Sequence, residues 1–139
     1  MIRREDWPER LTAYIKETRR EAFAWGTRDC LSWVNGAIER MTDSTVFDAL
    51  LGAYNDEESA RELVIQQGGW IQGIDAIMVG ARIEAVLAQR GDVVLLSNDF
   101  TVPGWDHSLG LCVGEVAIGV GVKELQRVPM SLAVMAWRV

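Results

Sequence analysis

The chain has 139 residues, of which 49% are hydrophobic, and a formal net charge of −6 from 20 acidic and 14 basic residues. This length and composition favour one soluble globular domain that is large enough to bury a hydrophobic core. The acidic balance argues against nucleic acid as the main partner. No apolar run is long enough to span a bilayer, so we expect no membrane insertion.

The first half of the chain is predicted to be helical, because its apolar residues recur with the period of an α-helix. Side chains that can cap a helix precede several of these stretches. The predicted helices are, in chain order, about 6–20 after Asp6, about 30–41 after Asp29, a short helix through Leu50 capped by Asp43 or Ser44, one that starts at 56–59 and stops at Gly68-Gly69, and 70–80.

The second half is predicted to form strands, which begin after a turn at residues 89–92. A polar loop with glycine and proline, residues 97–106, separates the first two of them. The predicted strands are 93–96, 107–113, 116–122, 125–128 and 135–139. Helices followed by strands indicate an α+β fold in which an antiparallel sheet packs against a helical layer.

Cys30 is the strongest candidate for a functional residue. It follows Asp29 where the second helix is predicted to begin, so its thiol faces unpaired N–H groups and the positive end of the helix dipole. Cysteines in such positions can have a pKa between about 3.5 and 7.5 instead of about 8.5. Because the thiolate is the nucleophile, the position suits covalent catalysis. The alternative is a small buried hydrophobic residue.

His107 is the single histidine of the chain. It is therefore the base if Cys30 is a nucleophile, because a catalytic thiol transfers its proton to a base. The alternative is an ordinary histidine at the edge of a loop. Cys112, by contrast, alternates with apolar neighbours and is predicted to lie in the core.

Two cysteines and one histidine supply too few ligands for a metal site, and we expect no metal or cofactor. Reduced thiols are the default for a chain with so few cysteines. A disulfide between Cys30 and Cys112 stays open, because the sequence does not place the two residues in space.

Three short motifs resemble the NlpC-type cell-wall cysteine peptidases. They are Trp25-Gly26 followed by Asp29-Cys30, then Arg90-Gly91-Asp92-Val93-Val94-Leu95, then Ser108-Leu109-Gly110-Leu111-Cys112-Val113-Gly114. Over nearly its whole length, the chain is also similar to small phage and prophage proteins encoded among tail genes. The stretches at 3–11 and 136–139 fit that group.

The resemblance implies a single papain-like, NlpC-like α+β domain over residues 1–139, with N-terminal helices packed on a C-terminal antiparallel sheet. It implies a catalytic site in which Cys30 is the nucleophile and Asp29 the acidic residue before it. The base in this family is a histidine on a strand, a role that only His107 can fill here.

The family pattern also makes two predictions about the surroundings of this base. In the peptidases the histidine directly precedes an apolar-Gly-apolar strand, and alignment on Gly110 puts Ser108 at that position. A shift of one residue along a strand reverses the direction of a side chain, so His107 is expected on the opposite face unless a β-bulge restores its direction. A third polar residue belongs on the next strand, where residues 117–121 carry no suitable side chain.

Two functions follow from the resemblance, and the sequence leaves both open. The first is a cysteine peptidase of the phage tail tip that cleaves peptidoglycan peptide bonds while DNA enters the cell. The second is a catalytically inactive structural component that binds other tail proteins, such as hub and distal tail proteins, through a Trp-rich surface. Either places the protein in the virion tail after synthesis in the host bacterial cytoplasm. An unrelated small-molecule enzyme or host-interaction module is a third class.

Overall fold

The computed structural model of the protein describes residues 1–97 and 104–139. Within these ranges five α-helices come first and six strands follow. The helices are α1 (Trp7–Thr18), α2 (Cys30–Thr42), α3 (Asp48–Leu51), α4 (Glu57–Gln66) and α5 (Trp70–Ile77). The strands are β1 (Arg82–Ile83), β2 (Val93–Ser97), β3 (His107–Cys112), β4 (Val116–Val120), β5 (Leu125–Pro129) and β6 (Ala133–Trp137).

All six strands belong to one antiparallel sheet with the order β1-β6-β2-β3-β4-β5. β2 and β3 therefore lie in the middle, where each is hydrogen-bonded to a neighbour on both sides. Two short 3-10 helices, Ala85–Leu87 and Met130–Leu132, connect strands at the edges. The predicted α+β class is confirmed.

The sheet is buried on both sides, and the main core lies between the sheet and the helices. On this side Leu109 and Leu111 of β3 pack in one cluster with Val34 and Ile38 of α2. The opposite side has a second, smaller cluster. Its buried members are Val94, Leu96, Cys112, Ala117, Val128 and Ala136. Because consecutive residues of a strand point to opposite faces, every residue of β3 after His107 is buried on one side or the other.

α2 is the central helix, and its sequence explains its position. Its apolar residues recur every three or four positions and form a stripe that is buried against α1 and the sheet, namely Trp33, Val34, Ala37, Ile38 and Met41. The predicted cap at Asp29 is confirmed, and the helix ends at Asp43 in a left-handed conformation with φ of 62°. The first residue of this helix is Cys30.

Several predicted boundaries differ from the structure. Asp6 does not cap α1 with its side chain, because the carboxylate instead pairs with Arg10 one turn later. The short helix that Asp43 or Ser44 was expected to cap begins only at Asp48, since Asp43 closes α2.

The strand boundaries differ in the same modest way. β1 has only two residues and carries too little pattern to be recognised in the sequence. The last strand covers 133–137 instead of 135–139, and Ser97 belongs to β2 instead of the loop 97–106. The rest of that predicted loop up to residue 103 lies outside the described residues. In the described part of the chain, no helix combines the length and the apolar character that crossing a membrane requires.

Candidate functional site

Asp29 organises the start of α2 with both oxygens of its carboxylate. Oδ1 accepts the backbone N–H of Ser32 at 2.9 Å, and the Ser32 hydroxyl in turn accepts the N–H of Asp29 at 2.9 Å. Oδ2 accepts the N–H of Gly26 at 2.6 Å and the Tyr54 hydroxyl at 2.5 Å. The residue is 2% exposed. Asp29 therefore fixes the loop before α2, the first turn of α2 and Tyr54 relative to one another.

Cys30, at the first position of α2, is half-buried and free. Burial and, to a lesser extent, the negative charge of Asp29 raise the pKa of its thiol to about 12. Backbone groups of Leu109, Leu31 and Cys30 itself act in the opposite direction, as N–H groups that stabilise a thiolate do. The lowered pKa expected from the helix start is wrong, because desolvation and the neighbouring carboxylate outweigh the N–H groups. The resting thiol is protonated at neutral pH.

His107 lies on the side of the sheet that faces Cys30. It has the same parity on β3 as Leu109 and Leu111, which pack against α2. His107 and Cys30 also line one small cavity of about 30 Å³. The expectation that His107 points to the opposite face is therefore wrong. Ser108, which the family alignment puts at the histidine position, also borders this cavity, but it has the parity of Cys112, whose side chain packs on the other side of the sheet.

The two residues share a cavity but are not joined. Within residues 1–97 and 104–139 the Cys30 thiol makes no hydrogen bond to the His107 ring. In structures without substrate, catalytic hydrogen bonds are often long or poorly aligned and tighten only when substrate binds. Cys30 and His107, the predicted nucleophile and base, lie on elements that face each other, α2 and β3.

Ser97 is the neighbour of His107 on the same face. In the register of β2 and β3, Ser97 is directly opposite His107, and side chains at opposite positions lie about 4.5–5.5 Å apart at Cβ. β4, where the family pattern expects the third polar residue, has the sequence Val-Ala-Ile-Gly-Val without any polar side chain. The polar neighbour of His107 is therefore Ser97 on β2 and not a residue of β4.

Cys30 also lines a second cavity, of about 70 Å³. Its walls come from the start of α2, from α3, α4 and α5, and from β3. Among the described residues they consist almost entirely of apolar and aromatic groups, and Asp29 is the one charged residue. The lining residues are Trp25, Asp29, Cys30, Leu31, Leu50, Tyr54, Ala60, Leu63, Val64, Gln67, Gly69, Trp70, Gly73, Ile74, Trp105 and Leu109.

Trp105, two residues before β3, lines both cavities. Its indole N–H donates to Glu57 at 3.1 Å, and the guanidinium of Arg61 lies 4.5 Å from the ring centre. Trp25 and Trp70 contact the same ring, with centroid distances of 5.3 and 6.1 Å. Residues near the start of α4 thus fix the ring of Trp105, which packs with Trp25 and Trp70 beside Cys30.

None of the six tryptophans is among the exposed residues. Trp33 and Trp137 are buried, and the others are half-buried. Three of these, Trp25, Trp70 and Trp105, surround the thiol. The high tryptophan content therefore serves packing and the walls of the site more than an open surface.

Cys112 is fully buried on the far side of the sheet, as predicted, and both cysteines are free. No disulfide joins it to Cys30. In the described ranges, no group of three or more His, Cys, Asp or Glu side chains is placed to hold a metal ion.

Three further residues contribute to the site and were not predicted from the sequence: Tyr54, Ser97 and Trp105. Tyr54 and Trp105 are far along the chain from Asp29 and Cys30, and no local motif connects them. Ser97 had a signal, since alternation along residues 93–97 gives it the parity of Val93 and Leu95. The prediction instead assigned Ser97 to the polar loop 97–106.

A protein-family model described as "Domain of unknown function (DUF6950)" matches residues 2–139. The match covers nearly all of the sequence, so the chain belongs to the DUF6950 family. No curated protein matches the chain.

Proposed function

We propose that this member of the DUF6950 family is a cysteine hydrolase of the phage tail tip with a papain-like arrangement of its site. In this proposal it cleaves peptidoglycan peptide bonds while DNA enters the cell. The observation that carries the chemistry is that Cys30, at the start of α2, and His107, on the facing side of β3, line the same cavity. The tail location and the substrate rest on the sequence resemblance to NlpC-type peptidases and to tail-gene proteins.

The reaction follows from the groups around the sulfur. His107 takes the proton of the Cys30 thiol, and the sulfur attacks the carbonyl carbon of the peptide bond. The negative charge that develops on the carbonyl oxygen lies beside the backbone N–H groups of Cys30 and Leu31, which can stabilise it.

The second half of the reaction regenerates the site. The carbon–nitrogen bond breaks, His107 returns the proton to the leaving amine, and a thioester with Cys30 remains. Water then hydrolyses the thioester, releasing the acid and restoring the thiol. A base is indispensable here, because a thiol with a pKa of about 12 does not ionise by itself at neutral pH.

A catalytically inactive structural component of the tail tip is the second candidate. Three observations favour it: the raised pKa of Cys30, the lack of a hydrogen bond between Cys30 and His107 in the described residues, and the apolar sequence of β4. In that case the fold would bind other tail proteins, such as hub and distal tail proteins, and Cys30 would be a packing residue.

Hydrolysis of purified peptidoglycan by the isolated protein separates these candidates. We expect wild-type protein to release soluble peptide fragments, Cys30→Ala to release none, and His107→Ala to be slower by a factor of about 10²–10⁴, the usual contribution of a general base. Cys112→Ala is the matched control, because it removes the other thiol and leaves the cavity intact.

Phage carrying these substitutions test the biological part of the proposal. Reduced infection by Cys30→Ala phage with normally assembled tails supports the enzyme. Full infectivity of the same phage, together with no fragment release by wild-type protein, would leave the structural component as the function.

A further inference from the structure

The cavity of about 70 Å³ beside Cys30 has no role in the reaction steps described above. Cys30 lines it together with residues of α3, α4 and α5, and His107 is not among its lining residues. Leu50 of α3 and Leu63 and Val64 of α4 contribute half-buried apolar side chains to its wall. An acyl group on the sulfur would therefore adjoin an apolar cavity.

We propose that this cavity is a subsite for a short, uncharged aliphatic group next to the carbonyl carbon that Cys30 attacks. The inference rests on the proposed hydrolase function and defines its substrate class. Among the groups of a peptide or another acyl compound, it selects those with about three carbons beyond the carbonyl.

The size of the cavity sets the length of the group. A volume of about 70 Å³ is close to twice the share of one water molecule in the liquid, about 30 Å³, and half of a cavity of about 150 Å³ that holds benzene. It therefore has room for a short alkyl chain and none for an aromatic ring. Apolar walls leave a water molecule there without hydrogen-bond partners, so an alkyl group is favoured over water.

The charges around the cavity exclude an anionic group. Among the described residues no basic side chain lines the cavity, and Asp29 is the one charged residue that does. The guanidinium of Arg61, which lies over the Trp105 ring, is already paired with Glu57 at 3.0 Å. A carboxylate in the cavity would lose its hydration without gaining a partner, which is costly, and would be repelled by Asp29.

Acylation of Cys30 by a series of p-nitrophenyl esters tests the subsite without knowledge of the natural substrate. In each reaction the sulfur forms a bond to the acyl carbon, the ester carbon–oxygen bond breaks, and p-nitrophenolate leaves. The thiol proton passes to the base. Acetyl, propionyl, butyryl, hexanoyl and the anionic succinyl ester are compared in the Cys112→Ala background, with mass spectrometry to locate the thioester.

We expect the acylation rate to rise by about threefold to fourfold for each methylene up to butyryl, the factor for transferring one methylene out of water. It should then fall for hexanoyl, which exceeds the cavity. The succinyl ester should react at least tenfold more slowly than butyryl, although the two acyl groups are similar in length.

Two variants of α4 change the cavity in opposite directions. Leu63→Ala enlarges it and should move the optimum from butyryl to hexanoyl, and Val64→Phe fills it and should make acetyl the best ester. Leu51→Ala is the matched control for the first, because Leu51 is half-buried nearby and does not line the cavity. It should leave the chain-length optimum unchanged.

Equal rates for all ester lengths, or the same shift in Leu63→Ala and Leu51→Ala, would overturn the subsite. His107→Ala separates this result from a failure of the proposed function. If acylation depends on His107 and not on chain length, the subsite is wrong and the hydrolase stands. If acylation depends on chain length and not on His107, the cavity binds as proposed and the base assignment is wrong.

Discussion

The helices α2 and α4 begin with the same local motif and end up in different surroundings. Residues 29–32 read Asp-Cys-Leu-Ser and residues 56–59 read Asp-Glu-Glu-Ser. Each aspartate accepts the N–H of the serine three residues later, and each serine accepts the N–H of the aspartate. Both are capping boxes, a common way to satisfy the free N–H groups of a helix start.

The partners outside the motif differ between the two boxes. The second oxygen of Asp29 accepts Gly26 and Tyr54, and the whole group is buried. Asp56 is exposed, and Glu57 and Glu58 follow it, where their charges favour the helix dipole. At the same position as Glu57, α2 has Cys30.

The comparison teaches that a capping box sets the start of a helix and does not by itself make a reactive site. The same N–H groups surround the first residue of both helices, but at α2 burial and Asp29 raise the pKa of the thiol. The reactivity of Cys30 then depends on a base from another part of the chain. The following experiments test this contrast.

The largest expected effect is on thiol reactivity. In the Cys112→Ala background at pH 8, Cys30 of the folded protein should react with iodoacetamide about 30-fold to 60-fold more slowly than in the unfolded chain. Its pKa of about 12 instead of 9.0 lowers the thiolate fraction, and the higher nucleophilicity of a more basic thiolate offsets part of that loss. Glu57→Cys, with Cys30 also changed to Ala, puts a thiol at the equivalent position of the exposed box. That thiol should react quickly, and equal rates for the two thiols would contradict the contrast.

The same shift makes stability depend on pH. The unfolded Cys30 thiol loses its proton near pH 9 and the folded one near pH 12, so the unfolded state binds fewer protons between these values. Stability therefore falls as the pH rises from about 9 to about 12. Urea unfolding at pH 7.5 and 10 should show a smaller loss in Cys30→Ala than in the wild type.

The next largest effect is on the cap of α2. Asp29→Ala removes the N-cap and leaves the buried Gly26 N–H and Tyr54 hydroxyl without an acceptor, which should lower the free energy of unfolding by about 3 kcal/mol. Asp56→Ala is the matched control with an exposed cap and should cost clearly less. Urea unfolding measures both, and equal losses would show that burial does not distinguish the boxes.

Tyr54→Phe removes one of the two hydrogen bonds to Asp29 Oδ2 and keeps the ring in place. The bond is short and made to a charged group, so we expect a loss of about 1.5–3 kcal/mol in the free energy of unfolding. Tyr14→Phe provides a control, since the Tyr14 hydroxyl donates to a neutral backbone carbonyl, that of Trp33. Its loss should be about 1 kcal/mol, and a loss as large as that of Tyr54→Phe would refute the special role of Asp29.

The smallest effect concerns the exposed box. Hydrogen bonds from Ser59 lower the pKa of Asp56, so this carboxylate stabilises the fold above its unfolded pKa and ceases to do so as the pH falls through its folded pKa. Ser59→Ala should raise the pKa of Asp56 toward 3.8 in a carbon-13 NMR titration. An unchanged pKa would mean that the serine does not bond the carboxylate in solution.

Much of the fold was predictable because short-range patterns specify it. The apolar stripe of α2, its cap at Asp29, the start of α4 near 56–59, the Gly68-Gly69 stop and the central strands were all predicted from neighbouring residues. Boundaries failed where a different contact takes over, as for Asp6, which pairs with Arg10, and Asp43, which ends α2 instead of starting the next helix.

The candidate site was only partly predictable. Cys30 was recognisable from its place after Asp29, and His107 by being the only histidine. Their relationship was predicted wrongly, because the alternation along β3 does not reveal which face meets the helices when both faces are buried. If one face of β3 were exposed to solvent, alternating polar and apolar residues would have shown which side chains face the helices.

The sequence alone determined the α+β order of elements, the start of α2 and the position of Cys30 at its first residue, since caps and periodic stripes depend on residues within a few positions. The tertiary structure alone decided that His107 and Cys30 share a cavity, that Ser97 lies opposite His107, and that Trp105 and Tyr54 complete the surroundings. It also decided that the thiol stays protonated. A pKa depends on desolvation and on charges close in space, and here these come from residues distant along the chain.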